Sequence, residues 1–202
     1  MIKLPNGCDN ERKTMGSPHK TNLYRDLEAL PACLRGEIMG GQLITRPSPN
    51  GKHIVAASNM SAEYNIPYQK GRGGPGGWWI LQEPEVHLVL DEVVVVPDVV
   101  GWRKDRMPDI PGSHKFNIVP DWVCEILSPS TASVDRVLKK PLYARYGVEF
   151  LWLADLADCT LETFELQGNY WQSTGLFSGN AMVSVQPFED SAVCLTDLMG
   201  DW

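Results

Sequence analysis

The chain has 202 residues, 43% of them hydrophobic and 21% charged, a composition that excludes disordered and fibrous classes and suits one domain with a sizeable core. No apolar run approaches the ~20 residues of a membrane helix, and the opening MIKLPNGCDNERKTMGSPHK has no secretory leader pattern, so a cytoplasmic protein without membrane contact is expected. A formal charge of −7 excludes a broad basic footprint for nucleic acid and leaves room only for a local one.

Residues 1–20 are polar, without periodicity, and read as a tail before a single domain over 21–202. Leu23, Leu27 and Leu30 share one helical face, and Pro31 stops that helix. GEIMGGQLITR at 36–46 predicts a hairpin around Gly40-Gly41. Asn50 or Gly51 opens a helix through Tyr64, with Ile54, Val55, Ala57 and Ser58 at helical spacing. The loop GRGGPGG at 71–77 leads to strands at 78–82 and 86–90, then to VVVVPDVVGW, read as a strand over 93–102. A polar loop at 103–119 precedes a strand at 120–127, a helix within 133–146 and a strand at 149–155. From Thr160 to Leu195 short β-like runs alternate with turns. This mixed order predicts an α/β or α+β fold, with the strands at 93–102, 120–127 and 149–155 as sheet neighbours.

Three positions carry the chemistry. Strand alternation in PDWVCEILSPST (120–131) puts Asp121, Val123, Glu125 and Leu127 on one face, with Trp122, Cys124 and Ile126 on the other. A carboxylate at Glu125 is costly unless paired, protonated or bound to a metal, and a structural ion pair competes with the metal reading. Asp98, between two valine runs, is either a second metal carboxylate or a turn residue of a Pro-Asp pair. Asp135, Lys139 and Tyr143 follow at i, i+4 and i+8 on one helix face. Pro141 predicts a kink there or a helix start near Lys140, which leaves open which of Lys139 and Lys140 faces the strands.

PD, then E-x-L-S-P-S-T, then D-x-x-x-K-x-x-x-Y-A-x-x-G-V and a strand ending in Asp, resembles the Uma-type endonucleases of the PD-(D/E)xK superfamily. GEIMGGQL followed by RPSPNGKH is similar to the amino-terminal signature of that family. The resemblance implies a restriction-endonuclease-like mixed β-sheet flanked by helices and a Mg²⁺-dependent nuclease, with Mn²⁺ as a substitute. It implies Asp98 and Glu125 as metal carboxylates, the Ile126 carbonyl as a further ligand, and Lys139 as the lysine, moved to the helix because Leu127 stands at its usual place. Glu37 and His53 match supporting positions. The substrate implied is nucleic acid, DNA before RNA, with Arg103, Lys104, Arg106 and Lys115 reaching phosphates, and a homodimer would place two sites about a two-fold axis. Gly36 replaces the family's aromatic, and Gly40 and Gln42 replace two acids of its hairpin. Those losses support an alternative: a catalytically weakened nuclease-fold module that binds nucleic acid or protein.

Other signals read as structural. GRGGPGG lacks the Lys-Ser/Thr of a phosphate loop, and Ser128, Ser130 and Thr131 read as caps or turn formers. Five widely spaced cysteines without a CxxC pair argue against disulfides and structural zinc, and Cys124 reads as a small core residue. Trp122 and Trp152 read as core, and His19, His87 and His114 as surface or loop residues.

Overall fold

The computed structural model describes residues 22–129 and 131–200; the expected tail at 1–20, with Cys8 and His19, lies outside them, as does Ser130. Helix α1 (Leu23–Glu28) is capped by Asn22, whose side chain accepts from the Arg25 N–H. Strands β1 (Leu34–Met39) and β2 (Gln42–Pro47) form the expected antiparallel hairpin. Its turn residues Gly40 and Gly41 have φ of 58° and 73°, the left-handed values a two-residue hairpin needs.

Gly36 has a local cause in α1. A Cβ there would collide with the Cδ1 atoms of Leu27 and Leu30, so the helix leucines fill the space of a side chain. Gly36→Tyr is therefore expected to push α1 off the hairpin and destabilise the protein by about 1–3 kcal/mol, the usual cost of overpacking. A denaturant titration with an unchanged midpoint would show that the space is not filled.

Helix α2 (Gly51–Tyr64) starts where expected, with the Asn50 side chain accepting from the His53 N–H. Its buried face differs from the one expected. Ala56, Ala57, Met60 and Tyr64 face the core, while Ile54 and Val55 are 52% and 43% exposed. The helix lies on a sheet face carrying the rings of Trp122 and Trp152, where alanines permit close approach.

Strands β3 (Trp78–Gln82) and β4 (Glu85–Val89) follow the glycine loop. The strand expected over 93–102 is two strands in two sheets: β5 (Val93–Val95) and β6 (Val99–Arg103). Pro97 has no N–H for a ladder, and the chain bends at Pro97-Asp98 to pass from one sheet to the other. The five-stranded sheet has the order β2-β1-β5-β4-β7, closed by β7 (Lys115–Phe116). The six-stranded sheet contains β6, β8 (Trp122–Leu127) and β9 (Phe150–Asp155), extended by the hairpin β10 (Thr160–Gln167) and β11 (Tyr170–Ser178), in the order β11-β10-β9-β8-β6-β3. Thus β6, β8 and β9 are the expected neighbours, with β6 antiparallel to β8 and β8 parallel to β9. A mixed α+β fold with helices flanking mixed sheets results.

The connection from β8 to β9 is helical over Ala132–Tyr146, built as α3 (Ala132–Val134), a π turn (Asp135–Lys139) and α4 (Lys140–Tyr146). The expected irregularity at Pro141 takes this form. A proline cannot donate to the Val137 carbonyl, and the wider turn just before it, closed by Lys140 N–H to Asp135 C=O, absorbs the misfit. The helix ends at Gly147, with φ of 80°. Short strands β12 (Met182–Val183) and β13 (Val193–Cys194) and helix α5 (Leu195–Met199) complete the chain.

Two cores lie on the two faces of the six-stranded sheet. Trp122, Cys124 and Ile126 pack toward α2 and α5, whereas Val123 and Leu127 pack with Tyr143 and residues of the five-stranded sheet. The alternation expected in β8 holds, so Glu125 points between the two sheets, toward α4.

Candidate active site

Glu125 occupies the middle of β8 with 0% of its surface exposed. Lys139, also 0% exposed, is carried by the π turn and directs its Nζ to Glu125 Oε1 and Oε2 at 3.1 and 3.2 Å. The same amine lies 2.9 Å from Glu37 Oε1 and 3.5 Å from Asp135 Oδ1. Tyr143, one turn further on, donates its hydroxyl to Glu125 Oε1. Of the two adjacent lysines, Lys139 faces inward; Lys140 instead lies over the Phe164 ring.

Asp98 arrives from the bend between β5 and β6. Its Oδ2 accepts from the Ile126 N–H at 2.7 Å, which ties it to the residue that follows Glu125 in β8. Ile126 meets Asp98 through its amide, a contact separate from the metal-ligand role that the resemblance implies for its carbonyl. Asp98 Oδ1 is 3.0 Å from His53 Nε2 and 4.0 Å from Arg46 Nη2. The bend itself is held from the hairpin: Val96 N–H donates to Glu37 Oε1 at 2.8 Å, and Arg46 Nη2 donates to the Val96 carbonyl at 3.1 Å.

Four buried carboxylates (Glu37, Asp98, Glu125 and Asp135) therefore face two fixed cations, Lys139 and Arg46. Burial pushes the Glu125 carboxyl up to about 8; Lys139 opposes this, and Asp98, Asp135 and Glu37 add to it. Burial also raises Asp135. Asp98 is lowered: its burial is outweighed by the hydrogen bond and charge of His53, then by Lys139 and Arg46. Desolvation disfavours the Lys139 charge, but Glu125 and Glu37 hold its proton firmly. One amine serves three carboxylates, so it stays charged while Glu125, the deepest acid, takes up a proton.

Asp98 is the opening of this cluster to solvent. A cleft of about 110 Å³ is lined by Asp98, His53, Arg46, Asn50, Ser128 and Thr131, among others. A neighbouring hollow shares Asp98 and His53. Glu125 and Lys139 line neither; they lie one layer deeper.

Whether these residues suit a hard dication can be judged from their oxygens. Both Asp135 oxygens are buried without a hydrogen bond, Asp98 Oδ1 meets the His53 ring nitrogen at 3.0 Å, and the buried acids outnumber the fixed cations Lys139 and Arg46 by two. The donors are carboxylates, the ligand type of Mg²⁺ and Mn²⁺. Among the described residues no three Asp, Glu, His or Cys side chains stand in a ready-made cage. Mg²⁺ takes one or two carboxylates and keeps several waters. The residues fit the group.

The basic loop is not part of this cluster. Arg103 and Arg106 bind Asp121 at 2.8 and 2.7 Å, Lys104 donates to the Gln69 carbonyl at 3.0 Å, and Lys115 pairs with Asp91 at 2.7 Å. Strand β6 separates Asp98 from Arg103 by five residues, about 17 Å at the rise of a β-strand. Buried Asp121 pairs with both Arg103 and Arg106, whose side chains stay 31% and 44% exposed, a link that a tally of loop charges does not reveal. His87 also departs from its surface reading: it is buried in β4, with Nδ1 accepting from Asp91 N–H and Nε2 2.8 Å from Glu85 Oε1. His114 is exposed, Cys124 is buried, and Ser128 and Thr131 form a hydroxyl-bonded turn, as expected. Arg46 was not visible in the sequence; the only signal was its place in the hairpin strand just before PSPNGKH.

No helix among the described residues is long and apolar enough to cross a membrane. No curated protein matches the sequence. A crystal structure of a "putative nuclease belonging to DUF820" from Anabaena variabilis ATCC 29413 is similar, with a TM-score of 0.70 and 25% identity over 88% of this chain and 96% of that one. The model of the Uma2 family, described as "Putative restriction endonuclease", matches residues 22–196. With most of its length so matched, the chain belongs to the Uma2 family.

Proposed function

We propose that the chain is a divalent-metal-dependent nuclease that hydrolyses phosphodiester bonds of nucleic acid at Asp98, Glu125 and Lys139. The observation that carries this reading is the charge imbalance: four buried carboxylates against the fixed cations Lys139 and Arg46, with Asp98 and His53 together lining a cleft. Buried charge is retained at such expense where function needs it. Membership of a restriction-endonuclease family, whose enzymes use divalent ions and nucleic-acid substrates, supports the same reading.

Asp98 and Glu125 would hold the ion, with the Ile126 carbonyl added by resemblance and Mg²⁺ or Mn²⁺ as the candidates. When bound, the ion supplies positive charge to the scissile phosphate and acidifies water. The protein groups have separate tasks. His53 and the Ile126 N–H fix the Asp98 carboxylate, and Tyr143 fixes Glu125. Glu37 anchors the bend that carries Asp98 and shares the Lys139 amine. Lys139 would orient the attacking water and stabilise charge on the phosphate oxygens.

The test is incubation with single- and double-stranded DNA and RNA, in Mg²⁺ and separately in Mn²⁺. Cleavage that stops in EDTA is the expected result, and no cleavage of any substrate with either metal would overturn it. A binding module that no longer cuts is the second reading, favoured by the absence of Glu125 and Lys139 from the cleft lining. It predicts retention of these nucleic acids without cleavage. A homodimer, which brings two sites to the two strands of a duplex, is part of the nuclease reading and is checked by light scattering.

A further inference from the structure

We propose that Arg46 is the anion anchor of the cleft, gripping a phosphate of the substrate strand next to Asp98. This inference rests on the nuclease reading and adds a substrate contact to it. The cleft wall is acidic at Asp98 and Glu83, and a phosphodiester entering it meets repulsion. Arg46 is the one Lys or Arg among the cleft-lining residues.

Its hydrogen bonding separates it from the other arginines. A guanidinium has five N–H donors. Arg103 and Arg106 close on Asp121 at 2.8 and 2.7 Å, the geometry of structural ion pairs. Arg46 stands 3.9 Å from Glu37 and 4.0 Å from Asp98, near enough to balance charge but too far to hydrogen bond. Its one directed contact is Nη2 to the Val96 carbonyl, and its buried Nε has no partner. The side chain is 17% exposed, so part of it reaches the cleft while its base is fixed.

The chemistry of that arrangement favours phosphate. A planar guanidinium binds two oxygens of a tetrahedral oxyanion at once, and the bond is charge-assisted. Ser48, Ser128 and Thr131 add polar side chains to the lining of the same cleft. Arg46 would thus hold the strand while its charge offsets Asp98, the acid nearest the entering phosphate.

The test is equilibrium binding of a fluorescein-labelled oligonucleotide by anisotropy, single-stranded and duplex, in EDTA and again in Ca²⁺, across a salt series. Arg46→Met is expected to weaken binding about tenfold or more. It should also lower the slope of log affinity against log salt by about 0.7–0.9, the share of one phosphate. Arg46→Lys should keep the slope, with a partial loss of affinity because the fork is gone. Should circular dichroism show that the Met variant has lost its fold, the Lys variant decides, and wild-type affinity in it overturns the proposal. A folded Met variant with wild-type affinity and slope, still cleaving, overturns the Arg46 role alone. A wild-type protein that binds neither oligonucleotide form overturns the role and the nuclease reading together.

Discussion

Glu125→Gln is expected to abolish metal-dependent cleavage while leaving the protein as stable as the wild type, or more so. The amide keeps the shape of the carboxyl and an oxygen for the Tyr143 hydroxyl, so no cavity is created. Its NH2 replaces the Oε2 that accepts from Lys139, and the lysine amine keeps Glu37 and Asp135 as partners. The substitution removes the acid whose ionisation the buried cluster opposes most, so no buried negative charge can form there as pH rises. Even partners behind a metal ligand matter 10–100-fold, so loss of a ligand should reduce cleavage by more than about 100-fold. The same substitution should change how stability depends on pH. The Glu125 carboxyl is raised in the fold from its ordinary 4.5 to about 8, so the folded protein binds that proton more tightly than the unfolded chain. Its contribution is complete below about pH 4.5 and is lost as pH rises through about 8. Metal-free wild type should therefore melt at falling temperature across that window, and the Gln variant should show a flatter profile. Equal profiles in EDTA would mean that Glu125 is ionised in the fold at neutral pH, and that the charge imbalance lies elsewhere.

What was legible in the sequence is what depends on local period. A single carboxylate in the apolar run WVCEIL marks Glu125, and i, i+4 spacing puts Asp135 and Lys139 on one face even through a π turn. What was not legible depends on which distant surfaces meet. VVVVPDVVGW reads as one strand because each half is apolar, and only the packing of two sheets shows that Pro97-Asp98 crosses between them. That crossing brings Glu37 and Arg46 from the hairpin to the bend, so the role of Arg46 has no signature along the chain. The buried face of α2 was misread for a related reason: hydrophobicity ranks Ile54 above Ala56, but it is Ala56 that packs in the cluster with the tryptophan rings. The pairing of Arg103 and Arg106 with Asp121 was likewise not legible, because Asp121 looks in the sequence like one more polar residue beside a strand.

Lys139 shows how far the geometry revises a local reading. Spacing alone puts it on one helix face with Asp135 and Tyr143 and leaves open whether it or Lys140 faces the strands. In the structure its amine contacts Glu37, Glu125 and Asp135 within 3.5 Å and has no exposed surface. Lys139→Met keeps the volume and removes the charge, leaving four carboxylates with Arg46 as their one fixed cation. Breaking a buried pair from one side costs about 3–5 kcal/mol, because the remaining charge has no water to turn to. The variant should therefore melt well below the wild type in EDTA. Two results should accompany that loss if the account is right. Mg²⁺ or Mn²⁺ should raise its melting temperature more than that of the wild type, since an ion that binds only the folded form at 100 times its dissociation constant adds about 2.7 kcal/mol. Combining Lys139→Met with Glu125→Gln should recover most of the stability, a coupling that independent sites do not show. Cleavage should stay low even in the metal-rescued single variant, because the group that orients water is missing. A Lys139→Met protein that melts with the wild type in EDTA would remove Lys139 as the counter-ion of this cluster.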